Sequence, residues 1–420
     1  MKKGFIRYSM ASRSDRSPAG THLHSYSHDL SQEAYTMKKN LITLAIASLV
    51  TGGAVADTNF SISGQINTGL DLYSLSTGTA AASVSGNETR LTDEQSRLVF
   101  KADRDLGDDL RAFLQVDMRL STDTNQTASY GLTAGNTGVG LMGNWGKLTI
   151  GRWELHYNEG SSIEASRIVA SQTLGTNGML AQVNGVVIAS GTRSNNVLMF
   201  DSPTVNGVTA RLGYSTNPRG TEGSAVTAAS GTIPVGDAGG GSAWTTALRY
   251  TTGPITTGFS YYSEDSEDRR NNAPNADQRA ARVYLGYMLP MNISIGLTYD
   301  HSQVSAGAST ANNPLWAERN AWLIPVKYIA GKHGVYFAYG EAESATGTGT
   351  VAGADTSAKF GKIGYDYSIN KDASLGVFYT RVSNAAAAKY NLFALSSGGQ
   401  TSALAGQSPS QLYAGLTFSF

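Results

Sequence analysis

Apolar and polar side chains alternate one by one along most of this 420-residue chain. Between Leu110 and Leu120 every second residue is apolar, and the residues between them include Arg111, Asp117 and Arg119. Successive side chains of a strand point to opposite faces, so a repeat of two residues separates the apolar set from the charged set. The segment therefore predicts a strand with one face against an apolar medium and the other against water.

The same alternation occurs in sixteen segments whose lengths suit tilted membrane-crossing strands of about 9–11 residues or slightly more. They are 58–73, 94–104, 109–121, 136–144, 147–157, 194–203, 206–216, 243–252, 254–264, 278–290, 291–303, 319–330, 334–343, 357–369, 372–383 and 411–420. Short turns alternate with long loops rich in Gly, Ser, Thr and Ala. This arrangement, with an even strand number, is typical of a transmembrane β-barrel. The predicted fold class is all-β, a transmembrane antiparallel barrel of about sixteen strands.

A secreted β-sandwich or solenoid is the alternative fold, but it needs a second apolar layer that no helical pattern supplies. Charged residues make up only 15% of the chain, against about 25% in ordinary soluble proteins. No run of 18 or more residues is apolar enough for a membrane-spanning helix. A closed barrel also satisfies every backbone polar group without leaving an edge. Aromatic residues near strand ends predict interfacial girdles: Tyr157, Trp244, Tyr261, Tyr262, Trp322, Tyr328, Tyr365 and Tyr367.

The first 56 residues are predicted to lie outside the fold. Residues 37–56 combine Lys38 and Lys39 with a short apolar run and end in Ala54-Val55-Ala56, the pattern of a signal peptide. Residues 1–36 are then an upstream extension, with Met37 as the expected start and a genuine extended leader as the alternative. The barrel domain is predicted to comprise residues 57–420, which carry 25 basic and 29 acidic side chains, a net charge of −4.

Catalytic, metal and nucleic-acid sites find little support in the sequence. The absence of Cys excludes disulfides, thiol catalysis and zinc–thiolate sites, and the balanced charge argues against nucleic-acid binding. No Ser lies in a G-x-S-x-G context. His156, His301 and His333 are scattered and are expected at the surface or the membrane interface. We therefore predict that the protein is not an enzyme and uses no cofactor or metal, although Ser/His or Asp/His groups could still converge at the rim.

An acidic cluster lies in the middle of the chain. Glu264, Asp265, Glu267 and Asp268 precede Arg269 and Arg270. The favoured interpretation is a solvated external loop. The alternative is a divalent-cation site that bridges lipopolysaccharide phosphates.

Basic side chains dominate the wet faces of the predicted strands. Parity places these basic residues toward the lumen: Arg97, Lys101, Arg111, Arg119, Arg211, Arg249, Arg282, Lys327 and Lys362. It places these acidic residues beside them: Asp71, Asp103, Asp117 and Asp366. The set predicts a pore lining more basic than the whole protein, with pairing to a neighbouring carboxylate as the alternative role of any single arginine.

Arg152 breaks this parity. Strict alternation with Leu148 and Ile150 would direct its side chain into lipid, where a charge at the midplane costs about 2–4 kcal/mol. A bulge near Gly151 or an interfacial position is therefore expected.

The chain ends in the alternating strand Leu412–Phe420 with a terminal Phe, and it contains the segments Trp145–Arg152 and Gly364–Tyr367. With the signal peptide and sixteen strands, these features resemble the Gram-negative general porins over essentially all of 57–420. The resemblance implies a homotrimer in the outer membrane, in contact with its lipid and lipopolysaccharide, and an inward-facing Arg152. It also implies that the third long loop, 158–193 by order, folds into the barrel as a constriction loop. Glu159 and Glu164 are its acids, and the Pro-Glu-Phe-type motif of many general porins is absent.

The predicted function is a water-filled channel for passive diffusion of ions and small hydrophilic solutes. Wall cations facing loop carboxylates would create a transverse field, and charged rings set ion selectivity. The basic wall predicts a mild anion preference. The alternatives are a substrate-selective channel of the same fold, a non-conducting adhesin or anchor, and a rim-active hydrolase.

Overall fold

The computed structural model describes residues 58–80, 85–123, 132–168, 175–188, 193–218, 240–267, 277–305, 316–348, 350–392 and 403–420. The predicted leader, residues 1–56, lies outside these ranges, and so does Asp57.

Sixteen antiparallel strands form one closed sheet, in which each strand pairs with its neighbours in sequence. They are β1 (Thr58–Leu75), β2 (Gly86–Asp93 and Arg97–Gly107), β3 (Leu110–Arg119), β4 (Thr137–Gly143), β5 (Gly146–Trp153), β6 (Ser194–Asp201), β7 (Val208–Ser215), β8 (Gly240–Thr252), β9 (Ile255–Glu267), β10 (Gln278–Leu289), β11 (Ile293–Ser305), β12 (Trp316–Ala330), β13 (His333–Ala342), β14 (Ala358–Ser368), β15 (Ala373–Asn384) and β16 (Pro409–Ser419). The first and last strands close the barrel, with a register that runs from Gln65–Ser419 to Leu75–Pro409. The predicted barrel of sixteen strands is confirmed.

Strand β2 is interrupted in the middle of the wall. Its first segment pairs with the second half of β1, and its second segment pairs with the first half. Between the segments Gln95 has a φ of 66°, a left-handed conformation that breaks the ladder. Because the alternation is lost at this break, the sequence predicted only 94–104 and missed the segment Gly86–Asp93.

The apolar face of the strands points outward. Leu248 and Ile363 are 51% and 58% exposed on the outer surface, whereas inward-facing Tyr336 and Asp366 are buried. Long connections emerge at one end of the barrel and short turns at the other, which in such barrels are the extracellular and periplasmic ends. Among the described residues no helix is long and apolar enough to cross a membrane. The helical elements described are single 3-10 turns at Ser161–Ile163, Met179–Ala181 and Pro290–Asn292.

Aromatic side chains form outward-facing clusters near both ends of the strands. Trp244 contacts Tyr261 with ring centroids 4.9 Å apart, and Trp322 meets Tyr339 edge to face at 5.7 Å. Outward-facing Tyr328 and Tyr365 lie toward the short turns. The girdle prediction is wrong for Tyr157 and Tyr262, because both are buried inside the barrel.

The acidic segment that begins at Glu264 is only partly described. Glu264 lies on β9, is buried and accepts a hydrogen bond from the Tyr262 hydroxyl at 2.7 Å. The prediction of a solvated loop is therefore wrong for Glu264. Asp268, Arg269 and Arg270 lie outside the described residues.

A new charge should affect the stability of the protein very differently on the two faces of the wall. Leu248→Arg places a cation on the lipid-facing surface and should lower the free energy of unfolding by about 2–4 kcal/mol if it lies near the midplane. Gln115→Arg adds the same cation to the wet face and should change stability little. Denaturant unfolding in lipid vesicles measures both, and equal losses would contradict the assigned faces.

Candidate functional site

The connection between β5 and β6, residues 154–193, is called the inserted loop. Its described residues, 154–168, 175–188 and 193, fold into the barrel. Its residues Leu155, Met179 and Leu180 are fully buried. Met179 and Leu180 pack with Leu323 and Phe360 of the inner wall. A small hairpin, Gln182–Val183 with Val186–Val187, completes the described part. The expected constriction loop, 158–193, is contained in this connection.

A buried ion cluster in the wall lies beneath the inserted loop. The carboxylate of Asp300 on β11 accepts from Arg282 Nε at 2.8 Å and from Arg319 Nη1 at 2.6 Å. Ser302 donates its hydroxyl to the same carboxylate at 2.6 Å. All three charged side chains are buried, and one shared carboxylate leaves this cluster with an excess positive charge.

The two arginines use their remaining N–H groups to hold the backbone of the inserted loop. Arg282 Nη1 donates to the carbonyls of Tyr157 and Glu159, each at 3.1 Å. Arg319 donates to the carbonyl of Gln182 at 2.9 Å and to that of Leu180 at 2.7 Å. The planar guanidinium offers several donors in a fixed geometry. The wall therefore fixes both the outgoing and the returning arm of the loop.

Glu159 and Glu164 bind the loop to the wall and do not face open water. Glu159 is ion-paired with Arg249, whose Nε donates to Glu159 Oε2 at 3.0 Å. Glu164 lies 3.4 Å from Lys362 Nζ and accepts from the backbone N–H of Gly175 at 3.0 Å. Both acids are buried. Each is neutralised by a wall cation, so the expected transverse field between wall cations and loop carboxylates does not come from Glu159 or Glu164.

The inserted loop reaches the short-turn end of the barrel. Arg167 donates to the carbonyls of Gly331 and Lys332, at 3.0 and 2.9 Å, in the turn between β12 and β13. It also pairs with the buried Asp366 at 3.0 Å. The loop therefore runs along the inner wall to the periplasmic rim.

Ile163 fits into a gap of the wall made by small residues. A Cβ on Gly286 or Gly296 would lie only 2.7 or 2.9 Å from Ile163 side-chain atoms. Pro325, which cannot donate to the ladder, lies beside Gly296. Only residues without a side chain leave room for Ile163 at this point.

Several predicted pore-lining residues are buried. Arg282 and Lys362 are 1% and 3% exposed, because the inserted loop covers them, so their prediction as pore-lining residues is wrong. Arg119 and Asp117 are 8% and 5% exposed and pair with each other at 3.1 Å, so they too are largely shielded from the water path. The remaining predicted residues point inward and retain some exposure: Arg97, Lys101, Arg111, Arg211, Arg249 and Lys327.

Arg152 lies at the predicted irregularity. The β5–β6 register shifts between Gly151 and Trp153, and Arg152 donates to the side-chain oxygen of Asn195. The expected bulge near Gly151 is confirmed.

Four arginines on one side of the barrel form a group that we call the arginine cluster: Arg97, Arg119, Arg152 and Arg193. Arg97 and Arg119 each interact electrostatically with Arg193, as does Arg152. The sequence did not reveal Arg193 because it lies in the irregular loop, where alternation carries no information about direction.

His156 is buried, so its expected surface or interfacial position is wrong. Its Nδ1 lies 2.9 Å from the Ser260 hydroxyl and its Nε2 lies 3.9 Å from Asp300. Burial, together with the nearby Arg282 and Arg319, lowers the pKa of His156 to about 3 despite the attraction of Asp300. Ser260 and Asp300 are both 0% exposed, so this Ser/His/Asp group leaves no access for a substrate. Within the described ranges, no three His, Cys, Asp or Glu side chains could share a metal ion.

Comparison with known proteins agrees with this architecture. A model of the Gram-negative porin family matches residues 43–387. An outer membrane porin protein of Bordetella pertussis is 24% identical over 288 residues, which cover 66% of this chain and 69% of the relative. The major outer membrane protein P.IB of Neisseria meningitidis serogroup B is 35% identical over 118 residues, or 28% of this chain and 34% of that protein.

Solved structures show the same fold. An anion-selective porin from Comamonas acidovorans superimposes with a TM-score of 0.64 at 17% identity, over 87% of this chain and all of that chain. The trimer form of OmpT from Vibrio cholerae gives a TM-score of 0.60 at 15% identity, with 87% of this chain and 100% of that chain covered.

The chain belongs to the Gram-negative porin family. It is an outer-membrane β-barrel whose water-filled channel lets ions and small hydrophilic solutes diffuse passively.

Removing the shared carboxylate tests the ion cluster. Asp300→Asn leaves Arg282 and Arg319 buried without an anion, which should cost about 3–5 kcal/mol of stability. Asp372→Asn is the control, since this exposed residue pairs with Lys371 at a short turn and such pairs contribute about 0–1 kcal/mol. Denaturant unfolding measures both, and a small effect of Asp300→Asn would contradict the cluster's role.

A pH dependence follows from His156. The folded protein keeps this imidazole neutral to about pH 3, whereas the unfolded chain protonates it below about pH 6.5. Unfolding therefore takes up a proton, and stability should fall as the pH drops from 7 toward 4. In the His156→Gln variant the free energy of unfolding should fall less over this pH range. Unfolding measured at several pH values tests this. Identical pH profiles would show that His156 does not titrate on unfolding.

Proposed function

We propose that the channel conducts anions in preference to cations. The observation that carries this proposal is the distribution of charge around the inserted loop. Glu159 and Glu164 are neutralised by Arg249 and Lys362. In the part of the chain that the structure describes, Arg97, Arg152 and Arg193 have no carboxylate within ion-pair distance.

Asp117 and Glu154 attract Arg97, but the four arginines of the cluster, together with Lys101, which is exposed on the same wall, outnumber these two carboxylates and dominate the field inside the channel. Rings of basic side chains favour anions in a pore. We propose that Arg97, Lys101, Arg111, Arg152, Arg211, Arg249 and Lys327 line the water path. The inserted loop narrows this path from the opposite wall. One of the similar solved structures is itself described as an anion-selective porin.

We further propose that the protein acts as a channel without enzymatic activity. The group formed by Ser260, His156 and Asp300 supports this proposal. Its members are buried, and Asp300 is already bound by two arginines. A hydrolase of this kind would need an accessible serine.

The unequal distribution of outward-facing Trp and Tyr supports a homotrimer. These residues lie on β7–β15, for example Tyr214, Trp244, Tyr299 and Tyr379. In the described part of β1–β6 and their connecting turns, the outward-facing Trp or Tyr is Trp145, which lies in the turn between β4 and β5. Aromatic belts mark surfaces in contact with the lipid interface. We propose that the arc from β16 through β1 to β6 contacts neighbouring copies instead, as in a trimer such as the one described for OmpT.

Planar-bilayer recording tests these proposals together. The purified protein should show conductance steps in triplets, with a reversal potential in a salt gradient that indicates an anion-to-cation permeability ratio above 1. The double variant Arg97→Gln/Arg193→Gln should shift this ratio toward 1 because it removes two lumen cations that have no carboxylate within ion-pair distance among the described residues. Lys371→Gln, a change at an exposed short turn, is the matched control.

A cation-selective wild-type channel would refute the anion preference. Saturable block by a single solute would instead indicate a substrate-selective channel. A folded protein that carries no current would indicate an anchor or adhesin.

A further inference from the structure

We propose that an outward-facing groove across β13, β14 and β15 binds a phosphorylated lipid of the outer leaflet. The groove has a volume of about 440 Å³ and is lined by Phe337, Tyr339, Lys359, Ile363, Tyr379 and Arg381. It lies outside the arc that we assign to contacts between copies, so it faces lipid if that assignment is correct.

The strand register places the side chains of the groove in rows, which change from apolar to charged toward the long loops. Phe337, Ile363 and Tyr379 form one row across the three strands. The next outward-facing row lies two positions nearer to the long loops on each strand. In this row Tyr339 and Arg381 lie on either side of Gly361. Lys359 occupies the next outward position on β14, opposite Glu341.

Gly361 opens the middle of this surface. A Cβ built on it would have no other atom within 4 Å, so the backbone does not need glycine for close packing. Its missing side chain leaves a notch between the ring of Tyr339 and the guanidinium of Arg381. An acyl chain can lie along the apolar row and pass beside this notch.

The charges at the upper end fit a phosphate. Lys359 is 66% exposed, and the one ion pair that it forms within the described ranges, to Glu341, is long at 3.7 Å. Arg381 is exposed on the lipid-facing side, and among the described residues no carboxylate lies within ion-pair distance of it. An arginine on this face is costly in hydrocarbon and tolerated near the interface. Its planar fork matches phosphate oxygens.

The position of the two cations along their strands indicates which leaflet of the membrane they face. Lys359 and Arg381 lie next to the long connections, at the extracellular end of the barrel. The lipid phosphates at that level belong to the phosphorylated saccharide lipid of the outer leaflet, lipopolysaccharide. We therefore commit to this occupant, with its phosphate on Lys359 and Arg381 and one acyl chain on Phe337 and Ile363.

Binding of purified lipid A to the folded full-length protein in a zwitterionic detergent tests the proposal. Bisphosphorylated lipid A should bind at least tenfold more weakly to Lys359→Gln/Arg381→Gln than to the unaltered protein. Gly361→Leu, which fills the notch and keeps both charges, should also weaken binding. Lys371→Gln is the control, because Lys371 is an exposed cation at the short turn between β14 and β15, at the opposite end of the strands that form the groove.

Dephosphorylated lipid A should bind weakly to all four proteins. Unchanged affinity in the double variant, or an equal loss in Lys371→Gln, would overturn the proposal. Displacement of lipid A by inorganic phosphate alone would show a free-anion site and would also overturn it. Conductance and ion selectivity should remain unchanged in these variants, so failure here is distinguishable from failure of the proposed anion preference.

Discussion

The structure depends on the need to pair every backbone polar group that lies in hydrocarbon. An unpaired group there costs several kcal/mol, which permits closed sheets and forbids open edges. The pairing of β1 with β16 meets this requirement, and the backbone of Phe420 extends it by exchanging hydrogen bonds with Gly64 at 3.0 and 3.1 Å. Once the sheet closes, alternate residues of each strand face the lipid and the residues between them face the lumen.

The closed wall leaves a polar interior that the inserted loop partly fills. Buried charges are tolerated only when they are paired and hydrogen-bonded, and the loop supplies such partners. Arg282 and Arg319 bind loop carbonyls, while Glu159 and Glu164 bind wall cations. These two acids therefore hold the loop in place. Arg97 and Arg152 on the wall and Arg193 at the end of the loop have no carboxylate within ion-pair distance among the described residues, and the proposed anion preference follows from this division of roles.

The strands were predictable because their signal is local. Each of the sixteen alternating segments became a strand, since residue parity alone decides which face a side chain occupies. The same parity placed Arg97 and Arg211 inward. It failed at Gly86–Asp93, where the left-handed Gln95 interrupts the pattern, and it could not show which inward charges the loop would cover. Burial of Arg282, Lys362 and His156 depends on contacts between residues more than one hundred positions apart, which no local pattern encodes.

Hydrogen–deuterium exchange of the folded wild-type protein tests the inserted loop most directly. The amides of Leu180, Ala181 and Ile188 bond to carbonyls within the buried loop, at 3.2, 3.1 and 3.1 Å. They should exchange as slowly as those of the wall strands that cover them. Exchange within seconds, as expected for the exposed extracellular residues 351–353, would contradict a loop fixed inside the barrel.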